Sequence, residues 1–293
     1  MYNKNLVSVG IPAFNRADKI ERTIDSILAQ SYKYLELIIS DDASTDCTWQ
    51  ICNEYARKDK RVRCFRQKSN LGLNENFSFL LRQGRGEYFL WINDDDYCHP
   101  DFLLKLKNAL DKHRSYGIAM SSLKQIFDDG QVKNEIIYKG KNNVTNYSPG
   151  QIFNAAIFYN PRIHLFTLGL WRRKVLDQLF IRPLPVTTGV DKILVCEASF
   201  MTRFYSVPEI LFYKTLYRVN MFERPSYGDY RRLYLKDRVK INYTITLILW
   251  LLTSPNISIQ QKIFSLPPKL FLILWSMKFE LLKEILINFR NII

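Results

Sequence analysis

Along residues 6–121 the apolar positions switch repeatedly between a period of two and a period near 3.6. Leu6-Val7-Ser8-Val9-Gly10-Ile11 alternates and then meets Pro12, which predicts a strand with a sharp exit. Ile20, Ile24, Ile27 and Leu28 recur at helical spacing, predicting an amphipathic helix over 16–30 with Asn15 as its N-cap. Leu35–Ser40 predicts a second strand, running into Asp41-Asp42-Ala43-Ser44-Thr45-Asp46. A helix with Trp49, Cys52 and Ala56 on one face follows, then a short strand at Val62–Phe65. Asn70–Asn76 carries turn-forming residues, and Phe77, Leu80 and Leu81 form a helix face that Gly84 or Gly86 closes. Tyr88–Ile92 is almost wholly aromatic or β-branched, as a buried strand is, and it ends in Asn93-Asp94-Asp95-Asp96. Pro100 starts another helix with Phe102, Leu103, Leu106 and Leu110 inward, and Gly117–Ser121 is a further apolar strand.

Strictly alternating strands and helices call for an α/β fold: a mostly parallel sheet with helices on both faces. Ligands of such sheets bind beyond the carboxyl ends of the strands. Three features converge there: Pro12–Asn15, Asp41-Asp42 and Asp94-Asp95-Asp96. Three adjacent carboxylates repel one another, and a cation offsets that cost. Hard divalent ions suit carboxylate oxygens and bring phosphates with them; a solvated acidic turn is the plainer alternative. Neither a Gly-x-Gly-x-x-Gly nor a Gly-x-x-x-x-Gly-Lys-Ser/Thr stretch occurs, which argues against a dinucleotide fold or a P-loop.

Beyond residue 121 the pattern is less regular. Asp128-Asp129-Gly130 predicts a hairpin turn, Asp191–Ala198 a helix, and Phe204–Val207 and Ile210–Tyr213 two short strands around Pro208. Glu197 and Lys192 read as helix surface. The net charge of +14 adds a polarity to this layout. Residues 1–150 hold 22 Lys/Arg against 19 Asp/Glu, whereas residues 151–293 hold 20 against 9, so the excess lies in the second half. Apolar runs share that half, which favours an anionic membrane surface over nucleic acid as its partner. Cys47, Cys52, Cys64, Cys98 and Cys196 are odd in number and form no Cys-x-x-Cys pair, as expected of reduced thiols in a cytoplasmic protein. The N-terminus runs directly into a strand, with no signal-peptide pattern.

Taken in order, these residues resemble the family-2 glycosyltransferases of the GT-A fold, the type that builds bacterial cell-surface polysaccharides. The stretches that carry the resemblance are Val7–Asn15, Glu36–Asp46, Asn70-Leu71-Gly72 with Asn76 and Gly84–Tyr88, Asn93–Asp96 with Pro100, and Gly189–Leu194. They cover roughly residues 5–220, within a GT-A domain expected at 1–222. The resemblance implies an inverting, metal-dependent transferase that moves a sugar from a nucleotide-diphosphate donor to a glycan or lipid-linked acceptor. It implies that Pro12, Ala13, Phe14 and Asn15, with Asp41 or Asp42, hold the nucleotide; a carboxylate suits the N–H of uracil, hence a UDP-sugar. Asn76 contacts the ribose or caps its helix. Asp95 and Asp96 bind Mn²⁺ or Mg²⁺, with Asp94 beside the donor; the register leaves open whether Asn93 replaces a ribose-facing acid. Asp191 is the implied general base. A histidine that many relatives carry after a late Tyr-Arg is absent from Tyr217-Arg218-Val219-Asn220, and Arg218 or Lys214 is expected to supply its positive charge. Trp171-Arg172-Arg173 either lines the acceptor site or belongs to the core. A sugar nucleotidyltransferase needs a Gly-rich basic loop that residues 10–16 lack; a non-catalytic scaffold is the other alternative.

Residues 223–293 lie outside the resemblance. Arg231, Arg232, Lys236, Arg238 and Lys240 precede the apolar run 245–252, and Pro267-Pro268 precedes another at 270–275. Neither run has the ~20 residues of a spanning helix. Basic residues beside Trp-containing apolar helices predict an extension lying at a membrane surface, the cytoplasmic face in this reading, or packed on the catalytic domain.

Overall fold

The computed structural model describes residues 2–139, 143–157, 163, 165–184, 190–218 and 238–265. The sequence features at Thr187–Gly189, at Arg231, Arg232 and Lys236, and at 267–275 fall outside these residues. In chain order the elements begin with β1 (Asn3–Ala13), α1 (Ile20–Leu28), β2 (Leu35–Asp41), α2 (Thr48–Lys58), β3 (Val62–Arg66), α3 (Leu73–Gln83), β4 (Gly86–Trp91), β5 (Tyr97–Cys98) and α4 (Phe102–Lys112). They continue with β6 (Tyr116–Phe127), β7 (Val132–Ile136), α5 (Pro149–Ile157), β8 (Leu170–Arg172), α6 (Arg173–Leu179), α7 (Val190–Met201), β9 (Arg203–Leu216), α8 (Arg238–Thr253) and α9 (Ile259–Ser265).

The strands form one sheet in the order β3-β2-β1-β4-β8-β6-β9-β5, with β7 on β6. β3, β2, β1 and β4 are parallel neighbours, and β6 and β9 are parallel. The three-residue β8 runs antiparallel between β4 and β6 and joins the two halves of the sheet. Burial explains the apolar character of these strands: all seven residues of β2 are buried, the polar Glu36, Ser40 and Asp41 among them, and Val7, Val9, Phe89, Leu90 and Ile92 are wholly so. Helix α3 packs on β1 and β2, and α4 on β6 and β9. The crossing of β1 and β4 needs Gly86, because a Cβ there would lie 2.5 Å from the Leu6 carbonyl oxygen.

Several expected boundaries shift. Helix α1 starts at Ile20, four residues late, because Asn15 adopts the left-handed conformation (φ 52°) and cannot cap it. The two strands expected around Pro208 are one, β9. Its ladder on β6 jumps from Ser121↔Val207 to Ser122↔Ile210, so Pro208 and Glu209 are bulged out and the missing N–H costs no ladder bond. The hairpin at Asp128–Gly130 forms between β6 and β7, with Gly130 at φ +86°.

Glu197 is not surface. It is wholly buried, and its carboxylate accepts hydrogen bonds from Trp250 Nε1, Ser254 Oγ and Asn256 Nδ2, with Arg182 Nη2 3.6 Å away. The Arg182 guanidinium covers the Trp250 ring, 3.5 Å from its centroid, and donates to the Trp250 carbonyl oxygen. Leu247, Trp250, Leu251 and Ile257 thereby join the hydrophobic core. Trp171 is also core, wholly buried against β6; Arg172 is tied to the carbonyls of Tyr116 and Leu110, and Arg173 to that of Gly84. That trio is bound into the fold, as the core alternative expected.

Candidate functional site

The sheet changes direction at β1. The chain runs outward from β1 to β2 and β3, then crosses back to place β4 on the other side of β1. Connections leaving such a strand diverge and open a crevice at its carboxyl end. Ala13 pairs with Asp41, and Ile92 N donates to the Gly10 carbonyl oxygen at 3.1 Å, so Phe14, Asp42 and the acid triplet meet at that point.

The loops on either side are stitched together. Asn15 N donates to Ser44 Oγ, Thr45 N to Asn15 Oδ1, Arg16 N to Thr48 Oγ1 and Ala17 N to Asp46 Oδ2. Asn15 and Ala43 both have positive φ, 52° and 62°. Asp42 is buried, and its two oxygens accept from the backbone N–H groups of Leu71 and Gly72 at 2.7 and 3.0 Å. It thus fixes the 70–72 loop over the crevice, where Gly72 takes φ +80°. Asp41 is wholly buried; Oδ1 accepts from Ser44 N, and Oδ2 lies 3.4 Å from Arg66 Nε. Burial raises both carboxyls above their ordinary range. Asn76 lies inside α3 and does not cap it. Its amide donates to the Ser40 carbonyl oxygen, and its Oδ1 is buried without a hydrogen-bond donor.

The three acids face three ways. Asp94 accepts from Phe14 N at 3.3 Å and pairs with Arg16 Nε at 3.3 Å, on the side of the Pro12–Asn15 loop. Asp95 accepts from the Tyr217 hydroxyl at 2.8 Å. Asp96 points inward, wholly buried; it accepts from Thr215 N and Asn93 Nδ2, both at 2.8 Å, with Lys214 Nζ at 3.7 Å. Burial, then the neighbouring Asp95 charge, pushes the Asp94 carboxyl well up; burial raises Asp96 against the opposing pull of Lys214. Burial and then the Asp95 charge also raise the Tyr217 phenol. Among the described residues, no group of three His, Cys, Asp or Glu side chains is arranged to hold a metal ion by itself.

A family model described as glycosyl transferase family 2 matches residues 8–180, which contain the second half of β1, the acid triplet and β8. The chain belongs to that family. The fold is GT-A, as in the S. aureus TarS fragment 1–349 solved with UDP-GlcNAc (TM-score 0.66, 19% identity, 87% of this chain and 69% of that one). A Pyrobaculum calidifontis mannosyltransferase solved with GDP-Man and Mn²⁺ shares it too (TM-score 0.55, 18% identity, 82% and 64%). An uncharacterized glycosyltransferase of Haemophilus influenzae is 33% identical over 175 residues, 57% of this chain and 52% of its own length. An Escherichia coli protein named as a UDP-Glc:α-D-GlcNAc-diphosphoundecaprenol β-1,3-glucosyltransferase is 40% identical over 92 residues, 31% and 36%. The matched stretches span about half or less of these curated relatives.

Of the residues that the resemblance selected in this glycosyltransferase family member, Pro12–Asn15, Asp41, Asp42, Asn76 and Asp94–Asp96 gather at one crevice. Asp191 sits half-buried in the first turn of α7. Arg218 is not brought to the acids: its Nε donates to Asp129 Oδ2 at 3.0 Å and its guanidinium covers Phe127, so it ties β9 to the β6–β7 hairpin. Lys214 supplies the positive charge there instead. His99, three residues beyond Asp96, accepts from Asp101 N at its Nδ1. Residues that the sequence did not single out are Arg16, which pairs with Asp94, and Arg22, Thr215 and Tyr217. Arg22 Nη2 donates to the Asp95 carbonyl oxygen and to Thr215 Oγ1, both at 2.9 Å. An arginine in the first turn of α1 has no local sequence signal for that task.

Proposed function

We propose that the protein is an inverting, metal-dependent glycosyltransferase using a nucleotide-diphosphate sugar, with UDP as the nucleotide. The observation that carries this is the meeting of the Pro12–Asn15 loop, Asp42 and the acid triplet at the switch point of β1. The three acids hold unequal partners. Asp94 has a guanidinium and Asp96 an ammonium and two N–H donors, whereas the Asp95 side chain meets the neutral hydroxyl of Tyr217. A divalent ion takes one or two carboxylates and completes its shell with substrate phosphate oxygens. Asp95 fits that requirement, and Asp96, consumed by its own bonds, fixes the backbone behind it. When bound, Mn²⁺ or Mg²⁺ offsets the charge that develops on the departing diphosphate.

The crevice residues take the nucleotide, with Phe14 and Asn15 on one wall and the 70–72 loop on the other. Asp191 accepts the proton of an acceptor hydroxyl as its oxygen bonds the anomeric carbon. The bond from that carbon to the diphosphate oxygen breaks on the opposite face, and the nucleoside diphosphate leaves with the electron pair. UDP as the nucleotude's identity is supported by the UDP-GlcNAc complex of TarS and by the name of the E. coli relative; the GDP-Man complex shows that the shared fold itself does not fix the base. That same relative's name supports a lipid-linked acceptor, and the resemblance of the sequence motifs supports a role in surface polysaccharide synthesis. The basic second half, and exposed Ile181, Leu252 and Ile259 on segments joined through Arg182 and Asn256, support contact with an anionic membrane surface. Among the described residues, no helix is long and apolar enough to cross a membrane.

The test is a thermal-shift screen of nucleotide-sugars with and without Mn²⁺, followed by product analysis with the donor that stabilises the protein. Release of nucleoside diphosphate with an inverted glycosidic product is expected. Release of pyrophosphate would identify a nucleotidyltransferase, and full turnover in excess chelator would remove the metal from the reading.

A further inference from the structure

The backbone of the acid triplet is held from two sides. Helix α1 contributes Arg22, which donates to the Asp95 carbonyl oxygen, and Thr23, whose hydroxyl donates to that of Asp96 at 2.7 Å. The end of β9 contributes Thr215, whose N–H holds Asp96 Oδ1 and whose hydroxyl donates to the Asp95 carbonyl oxygen. Arg22 is itself braced over the Tyr97 ring, 4.5 Å from its centroid, and Tyr97 stacks on Tyr213 at 4.7 Å. These contacts fix where the Cα atoms of Asp95 and Asp96 sit. They do not fix the Asp95 carboxylate, which would otherwise rotate about two side-chain bonds. The contact that does so is the hydroxyl of Tyr217, two residues past Thr215 and just beyond the end of β9, donating to Oδ2 at 2.8 Å.

We infer that Tyr217 is a positioning residue for the metal carboxylate. It pins one oxygen of Asp95 so that the other is presented to a divalent cation. The inference rests on the metal reading given above. A partner that donates to the second oxygen of a liganding carboxylate restricts its rotation before the ion arrives and raises affinity without touching the ion. A tyrosine suits this place better than a cation would. Its hydroxyl supplies a donor without cancelling the charge that the ion needs, and its half-buried ring keeps it in place. Lysine or arginine at 217 would compete with the metal for the same carboxylate.

The experiment is calorimetric titration of Mn²⁺ into the full chain with saturating UDP, for wild type, Tyr217→Phe and Asp95→Asn. Tyr217→Phe removes one oxygen atom and leaves the ring. Its Mn²⁺ dissociation constant is expected to rise about 10–100-fold, the usual cost of losing a partner to a metal ligand. Its metal-free melting temperature is expected to fall slightly, because the buried Asp95 oxygen loses its donor, and its metal-free UDP affinity to match wild type. Transfer activity is expected to return toward the wild-type kcat at high Mn²⁺, a rescue that a merely structural defect would not show. An unchanged dissociation constant in Tyr217→Phe, with Asp95→Asn abolishing binding, would overturn the role of Tyr217 and leave the metal site standing. A tighter constant would also overturn it, by making the hydroxyl a competitor for Asp95. No Mn²⁺ binding by wild type would overturn both readings.

Discussion

Replacing Glu197 by alanine probes how firmly the C-terminal helix α8 is bound to the catalytic sheet. The side chain is wholly buried and stands at the centre of four groups: Trp250 Nε1, Ser254 Oγ, Asn256 Nδ2 and the Arg182 guanidinium. Alanine leaves three donors and a cation facing a small void. Each orphaned buried donor costs about 1–3 kcal/mol, and removing one partner of a buried ion pair costs about 3–5 kcal/mol in all. These figures overlap, because the same groups are counted in both. Arg182 also keeps its bonds to the Trp250 carbonyl oxygen and Thr253 Oγ1, at 2.7 and 2.8 Å. A loss of about 3–5 kcal/mol is therefore expected, which for a chain of this size lowers Tm by roughly 5–8 °C. Urea denaturation gives the global figure and hydrogen exchange its location. Amides of 246–257 should lose protection first, while those of β1, β2 and β4 stay slow. A loss under about 1 kcal/mol would mean that the donors find other partners when Glu197 is gone. A uniform loss of protection would mean that α8 does not open independently; either result refutes the reasoning.

Asp191→Asn is expected to lower kcat about 10²–10⁴-fold, the range for loss of a general base, with UDP affinity within twofold of wild type. Asp42→Asn turns an amide N–H₂ toward one of the N–H groups of Leu71 and Gly72; it should cost about 1–3 kcal/mol in denaturation and weaken UDP binding in titration. Ala43→Gly relieves a non-glycine residue at φ 62°, worth about 1–2 kcal/mol, against about 0.4–1 kcal/mol of added unfolded-state entropy. The net expectation is a stabilisation of up to about 1.6 kcal/mol, read as a higher urea midpoint.

Where the sequence was informative, the reason is local. β2 and β4 are buried on both faces, so Leu37–Ile39 and Tyr88–Ile92 had to be apolar, and the buried Glu36 is accommodated by Ser8, Arg63 and the Arg85 N–H. The acids that end those strands stood out because charge follows directly on the runs. Asn15 misled because its side chain serves the neighbouring loop through Thr45 and its backbone is left-handed; a cap-like residue looks the same in either setting. Pro208 suggested a break because a bulge that spares its missing N–H depends on the register with β6. Glu197 had the spacing of a surface residue, since the partners that bury it lie 53–59 residues downstream. Tyr217 and Thr215 meet the acid triplet across about 120 residues, and no periodicity announces such a meeting.

The short strand β8 gives the sheet a seam. On one side stand β3, β2, β1 and β4, on the other β6, β9, β5 and β7, and three residues, Leu170–Arg172, carry the ladder between them. The acid triplet leaves from the first group and is fastened by Thr215, Lys214 and Tyr217 of the second. It therefore spans the seam like a rivet through two plates. A twist of one plate against the other is resisted at the carboxylates themselves, and the crevice beside them reports the alignment of the whole sheet.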